Sequence, residues 1–235
     1  MKPEIVLLHG WGKFAPDKLE GLKNELEILK FRAHTISLPG FGGIAEPQSA
    51  WGIENYAKFV INKCQDEKIK NPVLFGHSFG GQIAAFITSY KLMPIKALIL
   101  CESASLRPNL ALHKKIIREL VKIGKIIPSN YRLNMRKIAS KLFPYSDYYQ
   151  ASDTMKQIVI RVTQEDLGNI LSQISVPTLI VWGDRDKTLP LPLAGKHQKL
   201  IHNSQLQIIY GASHSLPYTH IKELSKIMDN FLTKL

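Results

Sequence analysis

The sequence predicts an α/β domain, a mainly parallel sheet of about six strands with helices covering its faces. Three observations predict it. Short apolar runs alternate with longer amphipathic stretches along most of the 235 residues. Several of those runs are apolar almost throughout, as expected of parallel strands buried on both faces. Apolar types make up 45% and charged types 21%, which suits a chain that folds around a core and excludes disorder as its dominant state.

Glu4–Leu8 is the first strand, with Asp17–Lys30 as the helix after it. His34–Leu38 and Val73–Phe75 follow as strands, leading into helices Ile53–Glu67 and Phe79–Lys91. Ala97–Cys101, Thr178–Trp182 and Leu206–Tyr210 complete the strands, and Leu191–His202 and Thr219–Leu235 the helices. Each helix follows a strand at the short spacing of a βαβ crossover. One interval breaks the rhythm. From about Leu106 to Gln164 only helical periodicity appears, with Leu112, Ile116, Leu120, Ile123 and Ile127 forming an apolar stripe. Lys114, Arg118, Lys122 and Lys125 form a second, basic stripe, and Pro128 and Pro144 punctuate the interval. It reads as a helical cap, residues 106–164, inserted after the Ala97–Cys101 strand into a core made of 1–105 and 165–235.

Runs such as Ala97–Cys101 fall far short of the ~18 apolar residues of a membrane span. The N-terminal apolar run, Ile5–Leu8, is too short for a signal-peptide core. Cys64 and Cys101 cannot build a disulfide framework and read as two buried thiols, so a cytoplasmic location is expected.

The chemistry concentrates at strand ends. Val73–Phe75 runs into Gly76-His77-Ser78-Phe79-Gly80-Gly81 and then a helix, which is G-x-S-x-G in its strand–turn–helix context. A nucleophile on so sharp a turn brings residues two before and two after it together, where side chains would clash. The turn exposes Ser78 Oγ above the sheet and sets the Phe79 N–H at a helix N-terminus, where it can bind developing negative charge. Gly183-Asp184-Arg185-Asp186 follows the strand Thr178–Trp182, and Gly211-Ala212-Ser213-His214 follows Leu206–Tyr210. Ser, Asp and His thus come in order, each just past its own strand. His9-Gly10-Trp11-Gly12 follows the first strand, where a second oxyanion donor belongs.

On these motifs the chain resembles the α/β-hydrolase superfamily over essentially its full length. With its His-Gly-Trp-Gly loop and a helical cap after the sixth strand, it is similar to the carboxylesterases that cleave pimeloyl-carrier-protein methyl ester. The resemblance implies Ser78 as nucleophile, His214 as base and then acid, and Asp186 as the residue orienting His214. It also implies an oxyanion hole made of the Trp11 and Phe79 backbone N–H groups. Asp184 is the rival to Asp186, and Glu102, just past the Ala97–Cys101 strand, is a further rival. Most members begin with two more strands, which are expected to be missing before Glu4–Leu8, so His34–Leu38 should form a sheet edge. Its polar Arg32, His34 and Thr35 suit such an edge.

An apolar substrate pocket is expected from Trp11, Phe79, Leu110, Phe143, Tyr145, Tyr148, Leu189 and Leu216. His77 reads as a structural neighbour of the nucleophile and His9 as a support for its loop. His113, His197, His202 and His220 fall in helical surface patterns. No His, Cys or Asp cluster has metal-ligand spacing, and Gly40-Phe41-Gly42-Gly43 reads as a loop rather than a nucleotide cradle, so neither metal nor cofactor is expected.

The net charge of +12 is a local feature. Arg107–Lys141 holds ten basic residues against Glu119 alone, which accounts for nine of the twelve charges. Four of the seven arginines, Arg107, Arg118, Arg132 and Arg136, lie there together with Lys122. Three readings stand: a solvated face shaped by composition, a dock for an acidic partner such as acyl carrier protein, or an amphipathic cap resting on an anionic membrane. No nucleic-acid-binding motif accompanies the charge. The expected function is hydrolysis of carboxylic esters of short to medium acyl chains through an acyl-enzyme. A carbon–carbon bond hydrolase, an acyltransferase using the same triad, and a non-catalytic acyl-binding module are the alternatives.

Overall fold

A computed structural model describes residues 2–12, 15–107 and 151–235. The chain divides into two compact units, 1–107 with 153–235, and 108–152. In the first unit, six strands form one all-parallel sheet: β1 (Glu4–Leu8), β2 (Arg32–Ile36), β3 (Val73–His77), β4 (Ala97–Cys101), β5 (Thr178–Gly183) and β6 (Ser204–Ile209). Their order in space is β2-β1-β3-β4-β5-β6. The chain steps outward from β1 to β2 and then returns to the other side of β1 as β3. The connections leaving β1 and β3 therefore diverge, which opens a crevice at the carboxyl ends of these two strands.

Side chains alternate across the sheet and fill two cores. Ile5, Leu7, Val73, Phe75, Ile99, Leu179 and Val181 point to one face, against α2 (Glu20–Ile28) and α8 (Ile221–Leu232). Helix α8 brings Leu224, Met228, Phe231 and Leu232 to that core, each burial contributing about 1.5–3 kcal/mol. The surface ion pair Lys2–Asp229 on the same helix contributes at most about 1 kcal/mol, so apolar burial holds it in place. The other face is covered by α3 (Ile53–Asp66), α4 (Phe79–Ser89) and α6 (Pro192–Leu200). Helix α3 buries Ile53, Tyr56, Ala57, Val60 and Cys64 at helical spacing, whereas α4 is buried on nearly every side as the central helix.

Several boundaries move. The second strand begins at Arg32 instead of His34, because pairing with β1 sets Glu4 opposite Arg32 and leaves Ser37 and Leu38 past the end. It lies at the sheet edge, as expected, with Glu4 accepting hydrogen bonds from Arg32 (3.2 Å) and His34 (3.0 Å). The first helix divides into α1 (Ala15–Lys18) and α2 around Leu19. The last, expected from Thr219, begins at Ile221 as α8, because the non-helical backbone of His220 separates it from a short preceding helix, α7 (Leu216–Thr219).

The stretch expected to be the cap ends in helix α5 (Asp153–Gln164). This helix groups with the core because it buries Met155, Ile158 and Val162 and is clamped at its C-terminus. Gln82 Nε2 on α4 donates to the carbonyls of Val162 (3.1 Å) and Glu165 (2.9 Å). The Arg107 guanidinium donates to the same two carbonyls, and the Arg107 N–H to Asp166 Oδ2 (2.8 Å). A cation on the free carbonyls at a helix C-terminus satisfies both their hydrogen bonding and the helix dipole. Arg107, expected on the docking face, is thus a clamp of the core. Arg118, Lys122, Arg132 and Arg136 lie outside the described residues.

Removing the clamp should be visible as stability. Arg107→Ala is expected to lower the unfolding free energy in urea by about 1–3 kcal/mol. Lysine lacks the planar fork that reaches two carbonyls, so Arg107→Lys should recover only part of it. An unchanged midpoint in both variants would show that the clamp contributes nothing.

Candidate active site

The site is assembled at the carboxyl ends of the strands. Ser78, between β3 and α4, has φ 50° and ψ −111°, a conformation that costs a non-glycine residue strain. Its own backbone is fixed on both sides: Ser78 N–H donates to Cys101 O (3.1 Å), and Ser78 O accepts from Gln82 N–H (3.1 Å) and Ala104 N–H (3.0 Å). The turn leaves no room for side chains at its flanks. A Cβ on Gly76 would fall on the carbonyl of Gly80, and one on Gly80 would fall on the carbonyl of Leu8.

Two hydrogen bonds join residues from three turns. Ser78 Oγ lies 3.0 Å from His214 Nε2, and His214 Nδ1 lies 2.8 Å from Asp186 Oδ2. Asp186 is held in turn by Thr188 and Leu189, whose N–H groups both donate to its Oδ1 at 2.8 Å. With Asp186 accepting the Nδ1 proton, the Nε2 lone pair faces the serine hydroxyl. That tautomer can accept the hydroxyl proton. The rival Asp184 is exposed and occupied elsewhere, its Oδ1 accepting from Gly211 N–H (2.6 Å).

The profile of the alpha/beta hydrolase family matches residues 5–226. The chain belongs to this family. A pimeloyl-[acyl-carrier protein] methyl ester esterase of Pseudoalteromonas atlantica is 25% identical over 98% of this chain and 95% of its own length. An esterase from Exiguobacterium antarcticum has a similar fold, with a TM-score of 0.76 and 22% identity over 98% of this chain and 92% of that one. A bromoperoxidase from Bacillus anthracis has a TM-score of 0.75 and 21% identity over 99% of this chain and 92% of that one.

In this hydrolase fold the loop after β1 runs beside Ser78, with Gly80 N–H donating to His9 O (3.0 Å). Phe79 is the first residue of α4, so its N–H has no acceptor within the helix. Trp11 packs edge-on against Phe41 and Phe79, with ring centroids 4.8 and 5.6 Å away. His9 is fully buried; its Nδ1 donates to Gly10 O (2.7 Å) and its Nε2 accepts from Leu38 N–H (3.0 Å). Burial holds this imidazole neutral, pulling its pKa down to about 4.

Behind Ser78, Asp186 and His214 lies a second layer of polar groups, in which His77 and Glu102 join Tyr218, a residue the sequence analysis did not single out. The Tyr218 hydroxyl takes a hydrogen bond from the Gly10 backbone and lies 3.1 Å from His77 Nδ1. His77 Nε2 donates to His214 O (3.0 Å). His77 therefore ties the loop after β1, through Tyr218, to the turn that carries His214, and burial drives its pKa well below the ordinary histidine value. Glu102, φ 46° and fully buried, accepts from Gly183 N–H through Oε1 (3.2 Å). Burial and then the charge of Asp186 push its pKa up to about 9. Tyr218 carried no motif, and its partner His77 is 141 positions away, so local spacing gave no signal.

His77, Glu102 and His214 offer donor atoms within 4.8 Å of one another, the one such set among the described residues. Both ring nitrogens that face Glu102 already donate elsewhere, His77 Nε2 to His214 O and His214 Nδ1 to Asp186.

Of the expected pocket residues, Phe79 and Leu189 are buried beside the site and Trp11 is half-buried. Leu216 is fully buried and packs in the core cluster under α8, which removes it from a pocket wall. Leu110, Phe143, Tyr145 and Tyr148 lie outside the described residues, as does His113. His197, expected at the surface, is fully buried against Trp182, with Nδ1 donating to Leu193 O (2.8 Å). It occupies the inward face of α6, and burial pulls its pKa down to about 4.

These histidines make stability depend on pH. Unfolded, each binds a proton below about 6.5, whereas folded His9 and His197 do so only near 4. The unfolded state gains protons first as pH falls through that window, so stability is lost on acidification. Each should cost about 2–3 kcal/mol by pH 4.5. Urea unfolding of His197→Met should show a shallower decline between pH 7 and 4.5 than the parent. Equal declines would contradict the assignment.

Proposed function

We infer that this protein is a serine carboxylesterase acting on short to medium acyl chains. The observation that carries this reading is the continuous pair of hydrogen bonds from Ser78 Oγ through His214 to Asp186. Ser78 Oγ attacks the ester carbonyl as its proton passes to His214 Nε2. The carbonyl oxygen becomes an oxyanion facing the Trp11 and Phe79 N–H groups, whose dipoles are already oriented when the charge develops. Collapse breaks the C–O bond to the alcohol, which leaves with the proton from His214. Water then attacks the acyl-enzyme, gives its proton to His214, and the acid is released as Ser78 recovers its hydrogen. Trp11, Phe41 and Phe79 supply an aromatic wall beside Ser78, and such a wall favours an apolar acyl group over a sugar.

Ser78→Ala should lower hydrolysis of p-nitrophenyl acetate at least about 10³-fold while leaving thermal unfolding close to the parent's. A Ser78→Ala protein as active as the parent would refute the reading.

The acyl group's carrier is a further part of the proposal. The basic cluster of residues 114–141 matches an acidic acyl carrier protein, a partner named for the Pseudoalteromonas relative. Reversing Arg118, Lys122 and Arg136 to Glu should raise KM for an acyl-carrier-protein ester about 10-fold or more at low salt, with p-nitrophenyl acetate turnover nearly unaffected. Equal loss on both substrates would sink the docking role.

A further inference from the structure

The triad is backed by a second carboxyl group. Glu102 leaves the end of β4 in a left-handed conformation (φ 46°) that aims its side chain into the space behind His214. Its Oε2 lies 3.9 Å from His214 Nδ1 and 3.4 Å from His77 Nε2, and accepts no hydrogen bond. An unpartnered oxygen on a fully buried carboxyl is costly, and here it faces two ring nitrogens that carry protons. The charged and titratable groups around it are His77 after β3, Cys101 on β4, Asp186 after β5, and His214 and Tyr218 after β6.

Two acids thus compete for one imidazole N–H. Asp186 wins in this structure because it has three donors, from Thr188, Leu189 and His214. Glu102 keeps backbone donors only, from Gly183 and Leu216. With burial and Asp186 raising its pKa to about 9, Glu102 stands neutral at neutral pH and leaves the site with a single negative charge. Removing the charge of Asp186 removes one of the two causes of that shift. Glu102 then ionises more readily, and a movement of about 1 Å closes 3.9 Å to hydrogen-bond length.

We propose that Glu102 is a reserve acid of the triad, a positioning residue whose Oε2 takes over the His214 Nδ1 proton when Asp186 cannot hold it. The proposal rests on the serine-esterase reading for its kinetic consequence, but its geometric core does not. Asp186→Asn keeps the acceptor for Thr188 and Leu189 while removing the charge. Losing the sole acid of a triad costs about 10⁴-fold, whereas Asp186→Asn here should cost only about 10- to 100-fold on p-nitrophenyl acetate. Glu102→Gln should cost about two- to fivefold in the parent and about 100-fold or more in the Asp186→Asn background, a strongly non-additive cycle. Glu102→Asp should preserve part of the Asp186→Asn activity where Glu102→Gln abolishes it. In Asp186→Asn the pH–rate profile should gain a rising limb from Glu102 ionisation that vanishes in the double variant.

Low-field proton NMR reads the same contact without turnover. The His214 Nδ1–H resonance should persist in Asp186→Asn and disappear on adding Glu102→Gln. A missing resonance in Asp186→Asn, or equal cost of Glu102→Gln in both backgrounds, would overturn the reserve role. An inert parent that still shows the resonance pattern would instead overturn the esterase reading. Should Asp186→Asn fail to fold, Asp186→Ser takes its place in the same cycle.

Discussion

The left-handed turn at Ser78 is the constraint from which the site follows. It forces Gly76 and Gly80, brings the backbone of β1 against that of α4, and points Oγ away from the sheet. Such a conformation costs on the order of 1–3 kcal/mol. The elements it joins can hold it, because β3 and α4 are buried almost completely and each large apolar side chain there contributes about 1.5–3 kcal/mol. The strain is therefore kept where function uses it, and the central strand and helix anchor it. The same turn sets the Phe79 N–H free at a helix N-terminus, so the exposed Ser78 Oγ and that N–H come from one local geometry.

Sheet topology supplies the remaining parts. The return of the chain from β2 to the far side of β1 opens the crevice over β1 and β3, and every polar group of the site stands at a strand's carboxyl end. Behind the triad, His77 and Tyr218 bind the loop after β1 to the turn after β6. Most groups in this buried network have partners, which is what rigid positioning requires. Glu102 Oε2 is the exception, and its place beside His214 makes the exception informative.

The parallel sheet and the places of Ser78, Asp186 and His214 at its strand ends were legible in the sequence for a shared reason. Apolar runs mark the buried strands, and each triad member follows directly on such a run, so periodicity and motif reinforce one another. The expected edge strand was displaced by two residues because apolar Leu38, just past the end of β2, outweighed polar Arg32, whose place is set by pairing with β1. His197 was misplaced because its position on α6 resembles a surface site until Trp182 on a separate strand covers it. Leu216 and Arg107 show the same limit. One belongs to the core and the other to a helix clamp, both through contacts made across the fold. The partnership of Glu102, His77 and Tyr218 spans more than 100 positions, beyond any local pattern.

The positive charge is separate from this chemistry. Nine of its twelve units fall between Arg107 and Lys141, away in sequence from Ser78, Asp186 and His214. The central claim is that Ser78 is an activated nucleophile. Intact-mass measurement after brief exposure to a fluorophosphonate tests it most directly. The expected result is one adduct per chain, absent in Ser78→Ala and slowed at least about 100-fold in His214→Gln. An unlabelled parent, or equal labelling of all three proteins, would contradict the account.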